Sequence, residues 1–138
     1  MGLRSRNPDP RERSVDITPV APAGRQVIQS YGDGRFRISG TAHDGGVIVF
    51  PDHTVSWPIQ SLDDVTAESL KAVFAQNPAV EILLLGCGPR MLMLPTALRD
   101  AVKGRGVSVD PMDTGAACRT FNVLMLEDRR VAAALLPV

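Results

Sequence analysis

Cys118, Arg119, Thr120 and Asn122 fall within five residues, directly after the turn-forming string Asp113-Thr114-Gly115. A thiol, a guanidinium, a hydroxyl and an amide so placed could bind an anion or a carboxylate. The residues that follow, Val123-Leu124-Met125-Leu126, favour a helix, and the first turn of a helix offers free backbone N–H groups. A helix N-terminus and a neighbouring arginine both lower a thiol pKa, so Cys118 is expected to favour the thiolate. The same letters spell Asp-Thr-Gly-Ala, as in an aspartic protease. That chemistry needs two such loops whose carboxylates share one proton, so a chain with one copy would have to dimerise. The protease fold is almost entirely β, whereas the residues after this string prefer helix. The string therefore reads as a cap and turn, with Asp113 or Thr114 capping the helix and Gly115 relieving crowding. The plainer alternative is that Arg119 pairs with a carboxylate of the protein itself and Asn122 satisfies a neighbouring loop.

A second glycine-flanked cysteine, Gly86-Cys87-Gly88, follows an aliphatic run. It invites comparison with the dinucleotide-binding glycine loop, in which small residues let backbone approach a pyrophosphate. Met91 stands where the third glycine belongs and Pro89 removes a donor, so a tight turn at the top of a strand is the simpler reading. Cys87 and Cys118 each follow the end of an expected strand. If those strands are parallel neighbours, both thiols lie along the carboxyl edge of a sheet, where α/β proteins bind ligands. Inert packing is the alternative, since cysteine is among the most buried residue types. His43 and His53 lie in the β-rich half, so a Cys-His pair has no support, and no Cys-x-x-Cys or paired-His spacing suggests a metal. The candidate ligand or partner pocket is thus Gly86, Cys87, Gly88, Asp113, Thr114, Gly115, Cys118, Arg119 and Thr120, with no catalytic residue, metal or cofactor assigned.

The elements that must position these groups follow from periodicity. Short alternating or β-branched runs at 27–30, 35–39, 47–50 and 54–57 are separated by Tyr31-Gly32-Asp33-Gly34, Gly45-Gly46 and Pro51-Asp52-His53. This half reads as an antiparallel meander, and 31–34 needs nothing beyond a hairpin turn. Trp57, before Pro58, is expected to anchor it on the core. After Ser61 the period changes. Thr66 is a plausible N-cap, and Ala67, Leu70, Val73 and Phe74 fall on one face until Asn77-Pro78. The run 80–85 reads as a strand buried on both faces. A second helix starts near Pro95 and stops at Gly104. A short strand at 107–109, a helix over 116–127 and a terminal apolar strand at 131–136 complete the chain. Meander followed by alternating helix and strand gives an α/β sandwich, its central sheet covered by helices and by an N-terminal β layer.

Composition narrows the function. With 138 residues and 44% apolar content, one domain with a full core is expected. Fifteen basic and fifteen acidic side chains cancel and no dense basic block exists, so nucleic acid is not an expected partner. No apolar run approaches the ~20 residues of a membrane helix, so no membrane insertion is expected. Two cysteines cannot form a disulfide framework, and a reducing bacterial cytoplasm is the simplest home. Residues 1–25 are rich in proline and arginine and poor in large apolar groups, and read as a disordered tail before a domain at 26–138. Their arginines do not make a transit peptide, because Asp9, Glu12 and Asp16 interrupt them. Arginine outnumbers lysine thirteen to two along the whole chain, so these arginines carry little information.

Four strings taken together carry a resemblance. They are Tyr31-Gly32-Asp33-Gly34-Arg35-Phe36-Arg37-Ile38-Ser39-Gly40, Leu83-Leu84-Leu85-Gly86-Cys87-Gly88, the long segment 112–124, and Glu127-Asp128-Arg129-Arg130-Val131-Ala132-Ala133-Ala134-Leu135. From about Val27 onward the chain resembles a family of small stand-alone bacterial and archaeal domains of unknown function. Eukaryotic relatives of that family include the mitochondrial NADH dehydrogenase (complex I) assembly factor 3 and an adipogenesis-associated protein. The resemblance implies a three-layer α/β fold with a mixed central sheet. Together with the periodicity, the expectation is a three-layer β/β/α sandwich with helices on one side and an N-terminal antiparallel meander. It also implies a non-enzymatic binding or assembly module, with protein partners in respiratory-complex or membrane-protein biogenesis. The competing expectation is a small-molecule-binding protein or enzyme, with its site at the strand ends near Gly86–Gly88 and Asp113–Thr120.

Overall fold

The computed structural model describes residues 14–138. The first part of the expected tail, 1–13, lies outside the described residues. The remainder of it, 14–25, is tied to the domain. Strand β1 (Val15–Asp16) pairs antiparallel with β2 (Ile28–Gly32), and Ile17 N donates to Gln29 O at 2.8 Å. Arg25 donates to Met125 O and pairs with Asp128. The edge of β2 and a helix C-terminus supply backbone partners that composition alone does not reveal.

Strands β3 (Arg35–Ile38) and β4 (Thr41–Asp44) complete a four-stranded antiparallel sheet in the order β1-β2-β3-β4. β4 is absent from the periodicity reading, because Thr41-Ala42-His43-Asp44 has no alternation of apolar and polar residues. What makes it a strand is the two-residue turn before it, where Ser39 and Gly40 both take positive φ (46° and 85°).

At Gly45-Gly46 the chain leaves this sheet and enters another. β5 (Val47–Val49) and β6 (Thr54–Ser56) belong to a five-stranded mixed sheet ordered β6-β5-β9-β7-β8, so the expected single meander is divided between two sheets. The division follows from burial. Val47, Ile48 and Val49 are all inaccessible, and a strand with apolar groups on both faces belongs in the middle layer.

After two single 3₁₀ turns (Leu62–Asp64 and Glu68–Leu70), α1 (Lys71–Phe74) supplies one α-helical turn. Thr66 caps this segment as its hydroxyl type suggests: Oγ1 accepts from Ser69 N at 3.1 Å, and Ser69 Oγ accepts from Thr66 N at 2.9 Å. Trp57 is buried and its Nε1 donates to Ser69 O, so it fastens this segment to the sheet.

The core units are β7 (Ile82–Gly86), α2 (Thr96–Lys103), β8 (Ser108–Met112), α3 (Thr114–Leu126) and β9 (Val131–Leu135). β7 is parallel to both β8 and β9, while β9 is antiparallel to β5. Step direction decides which face each helix covers. From β7 the chain moves one strand outward to β8. From β8 it moves back past β7 to β9. Right-handed crossovers in opposite directions must lie on opposite faces of the sheet.

Leu83, Leu85, Ala132 and Ala134 accordingly share one core with Leu70, Val73, Leu98 and Val102 of the α1/α2 side. Leu84, Val131, Ala133 and Leu135 share the other with Ala117, Phe121 and Met125 of α3 and with Ile28, Phe36 and Ile38 of the meander. The three-layer α/β sandwich with a mixed central sheet stands as expected, but the helices occupy both faces rather than one. Each buried leucine or phenylalanine here is worth roughly 1.5–3 kcal/mol relative to exposure.

Candidate functional site

β7 and β8 are adjacent and parallel, and the helices that follow them leave on opposite faces. Their carboxyl ends therefore form a topological switch point, the crevice where open α/β sheets usually bind ligands. The loops there are 86–88 and 112–115, so the fold brings together the two glycine-containing strings that the sequence singles out. What fills the crevice is the protein itself.

Thr114 is fully buried and central to this closure. Its Oγ1 accepts from Gly88 N at 2.9 Å and donates to Leu136 O at 2.8 Å. Thr114 N donates back to Gly88 O at 2.8 Å, Cys87 N donates to Met112 O at 2.8 Å, and Leu136 N donates to Gly86 O at 3.0 Å. The approach is close enough that a Cβ on Gly86 would stand 3.0 Å from Thr114 Cα, Thr114 Oγ1 and Leu135 Cδ2. Loop and strand ends from three segments are stitched together by backbone hydrogen bonds and by the Thr114 hydroxyl.

The α3 N-terminus is likewise engaged. Asp113 is the cap, in extended conformation, and its carboxylate accepts from Ala116 N at 2.8 Å. Thr114 N and Ala117 N bond to Gly88 O and Asp113 O. Over Gly115 lies the ring of Tyr31, so close that a Cβ there would stand 2.5 Å from the phenol oxygen. Arg119, exposed, donates from Nη1 to Tyr31 Oη at 3.1 Å. No carboxylate pairs with Arg119 among the described residues, so the guanidinium fastens α3 to the meander rather than serving as one half of an ion pair. Thr120, half-buried, lies on the same helix one residue further on.

The two thiols do not converge. Cys87 packs in the α1/α2 core, with Sγ 3.5 Å from Leu85 O, and Cys118 packs in the α3/meander core on the other face of the sheet. Alternation along β7 and the helical phase of α3 separate them. The thiolate expected at Cys118 is also reversed: burial pushes its pKa up to about 12, against a smaller lowering effect of Arg119. A helix N-terminus favours the thiolate only where water or a cation reaches the sulfur, and Cys118 has no accessible surface.

Two residues matter more than their sequence context suggests. Asn122, buried, accepts from Ile28 N at 3.0 Å and donates to Ile28 O at 2.9 Å. It acts as a one-residue strand partner where the β2/β3 register shifts between Ile28 and Ser30, and so locks α3 to the meander. Tyr31, which reads as part of a plain hairpin, covers the α3 N-terminus. A single buried amide in an otherwise apolar helix face is the signal that points to Asn122. Tyr31 gives none without the fold.

Open clefts lie elsewhere. One of about 390 Å³ sits at the opposite end of the parallel strands, walled by Phe50, Val80 and Val131 with Arg25, Asp128 and Arg129 at its rim. Its charges are largely paired internally, Arg25 with Asp128 and Arg130 with Glu81. Arg130 holds the Glu81 carboxyl below its ordinary pKa. None of the nine candidate residues lines this cleft. No group of His, Cys, Asp and Glu able to hold a metal occurs among the described residues.

The model of a family described as protein of unknown function (DUF498/DUF598) matches residues 28–136. The NADH dehydrogenase (ubiquinone) 1 alpha subcomplex assembly factor 3 of Danio rerio is 37% identical over 92% of this chain and 73% of its own length. The human protein of that name is 36% identical over 89% of this chain and 67% of its own. An uncharacterized protein of Rhodobacter capsulatus is 40% identical over 84% and 88%. Among solved structures, an outer membrane protein from Bartonella henselae superposes with a TM-score of 0.76 at 40% identity, covering 83% of this chain and 97% of that one. A Mth938-like domain from Bordetella pertussis, solved by NMR, gives 0.75 at 29% identity, covering 89% and 92%. Among the described residues no helix is long and apolar enough to cross a membrane.

Proposed function

The chain belongs to the DUF498/DUF598 family of unknown function, and we propose that it works there as a protein-binding assembly module acting in respiratory complex I biogenesis. Similarity over most of the chain to proteins named as complex I assembly factors supplies the process. The observation that carries the binding part is the state of the switch-point crevice. Gly86, Gly88, Thr114 and Leu136 satisfy one another there, Tyr31 covers the α3 N-terminus, and both thiols are buried. A reactant in that crevice would first have to break hydrogen bonds that hold three segments together. The exposed surface is what remains for recognition. Met91 and Met93, 56% and 86% exposed on the loop after β7, are the kind of adaptable apolar side chain that protein contacts use.

The test is removal of the gene from a bacterium that relies on this chain, followed by native electrophoresis of its respiratory complexes. Assembled complex I should fall and sub-assemblies accumulate, and a gently purified tagged chain should carry complex I subunits or a companion assembly protein. Full assembly in the deletion strain, together with recovery of the tagged chain alone, would refute the reading.

A further inference from the structure

β8 closes one side of the five-stranded sheet and, among the described residues, is hydrogen-bonded on one flank only, to β7. The ladder fixes which of its groups are taken. Ser108 N donates to Glu81 O and Cys87 N donates to Met112 O, so the main-chain groups of Ser108, Asp110 and Met112 turn toward β7. By alternation, the N–H and C=O of Val109 and the C=O of Pro111 turn outward. Pro111 fits here for that reason, since the N–H it lacks would have faced away from the ladder. An outward flank of this kind is a ready template for one more strand.

Beside this flank, on the α2 face, runs a groove of about 480 Å³ lined by Arg99, Lys103, Gly106, Val107, Ser108 and Val109. Arg99 and Lys103 are one helical turn apart and exposed, and among the described residues no carboxylate lines the groove. Neither forms a salt bridge among the described residues. The other face of β8 carries the opposite charge. Asp110 is in register with Leu84, whose side chain belongs to the α3 core, so its exposed carboxylate projects on that side while Val109 faces α2.

We propose that β8 receives an extended acidic segment of a partner protein as a sixth strand. Its acidic side chains recur at alternate positions over Arg99 and Lys103, and the residues between them, which face Asp110, are uncharged or basic. Val109 exchanges two backbone hydrogen bonds with that strand, and Pro111 O accepts a third. A second copy of this chain fits less well. An antiparallel β8–β8 pair about a two-fold axis normal to the sheet keeps both α2 helices on one face. Four cations then meet across the seam. The inference rests on the reading of the chain as a partner-binding module, and it names where and what that module binds.

Short random peptides displayed on phage and selected against the full chain supply the probe. Selected sequences should show acidic residues at every second position, and their binding should weaken with added salt. Synthetic versions should lose about tenfold or more in affinity toward an Arg99→Glu, Lys103→Glu double variant, whose substitutions lie on an exposed helix face. N-methylation of those peptide amides that face β8 should abolish binding, which contact through side chains alone would not do. Selected peptides without the acidic alternation, or binding that survives both charge reversal and N-methylation, overturns the edge assignment. The module reading would then still be decided separately, by the deletion strain. A stable β8-mediated dimer of the free chain in sedimentation also overturns it.

Discussion

Two edges of the same sheet end differently. At the carboxyl ends of β7 and β8, where an α/β fold would ordinarily leave a crevice, Thr114, Gly88 and Leu136 close it with hydrogen bonds shorter than 3 Å. Along the outer flank of β8, main-chain groups and two cations stay open. Both regions contain polar groups able to recognise something. In the first, Gly88, Thr114 and Leu136 have already found their partners inside the molecule; in the second, among the described residues, the outward groups of β8 and the two cations have no strand or carboxylate partner. A polar residue at the expected place in a fold is therefore weak evidence for a ligand until its hydrogen bonds are traced.

The largest effects should come from the closed side. Asn122→Ala leaves Ile28 N and Ile28 O without their partner and opens a cavity between α3 and the meander. A stability loss of about 3–5 kcal/mol is expected in urea unfolding. Thr114→Val keeps the shape but orphans Gly88 N and Leu136 O, and should cost about 2–4 kcal/mol. If Thr114→Val is nearly neutral, the crevice is looser than its hydrogen bonds suggest, and a ligand could compete for it; a neutral Asn122→Ala would instead show that α3 and the meander hold together without that amide.

Much of this contrast was legible in the sequence, and the reason for the rest is specific. A cap at Asp113 or Thr114 and the buried β7 strand follow from local chemistry. The meeting of the two glycine strings needs β7 and β8 to be parallel neighbours, which periodicity leaves open, and the tight turn expected after β7 is a longer loop, 87–95. The closure does not follow from local chemistry either. It depends on Leu136 and Tyr31, which arrive from distant parts of the chain and carry no local mark of that role. The Cys118 reading failed for the same kind of reason: helix position was visible, but burial under the meander was not. The helices fell on two faces because the β8-to-β9 step reverses direction, and strand order cannot be read from periodicity. β8 itself extends through Pro111 because it is an edge, which a proline within a strand hints at but does not establish.

Cys118 offers a smaller and continuous test of how closed the inner region is. Its thiol keeps its proton up to about pH 12 in the folded chain, whereas an unfolded cysteine loses it near pH 8.5. Above pH 8.5 the unfolded state therefore binds fewer protons than the folded state, and stability must fall as pH rises. The slope approaches about 1.4 kcal/mol per pH unit and ends near the folded pKa. Cys118→Ala removes this one contribution. The stability difference between wild type and variant should therefore shrink steadily as pH is raised from 8.5. A difference that stays constant, or rapid labelling of Cys118 by a thiol reagent in the native state, would mean water reaches the sulfur.

The smallest expected effect completes the contrast, and it lies on the open edge. Among the described residues Arg99 and Lys103 form no salt bridge, and each lies on the exposed flank of α2 beside the inward-facing Leu98 and Val102. Reversing both charges should change the unfolding free energy by no more than about 0.5 kcal/mol. A loss of several kcal/mol would show that the two cations stabilise the fold through contacts with α2 or β8, and the groove would then be part of the core's support rather than a surface kept free. Stability that stays level while affinity for acidic peptides drops would separate the two edges by role: one side of the sheet spends its polar groups on holding the molecule together, and the other keeps them for a partner.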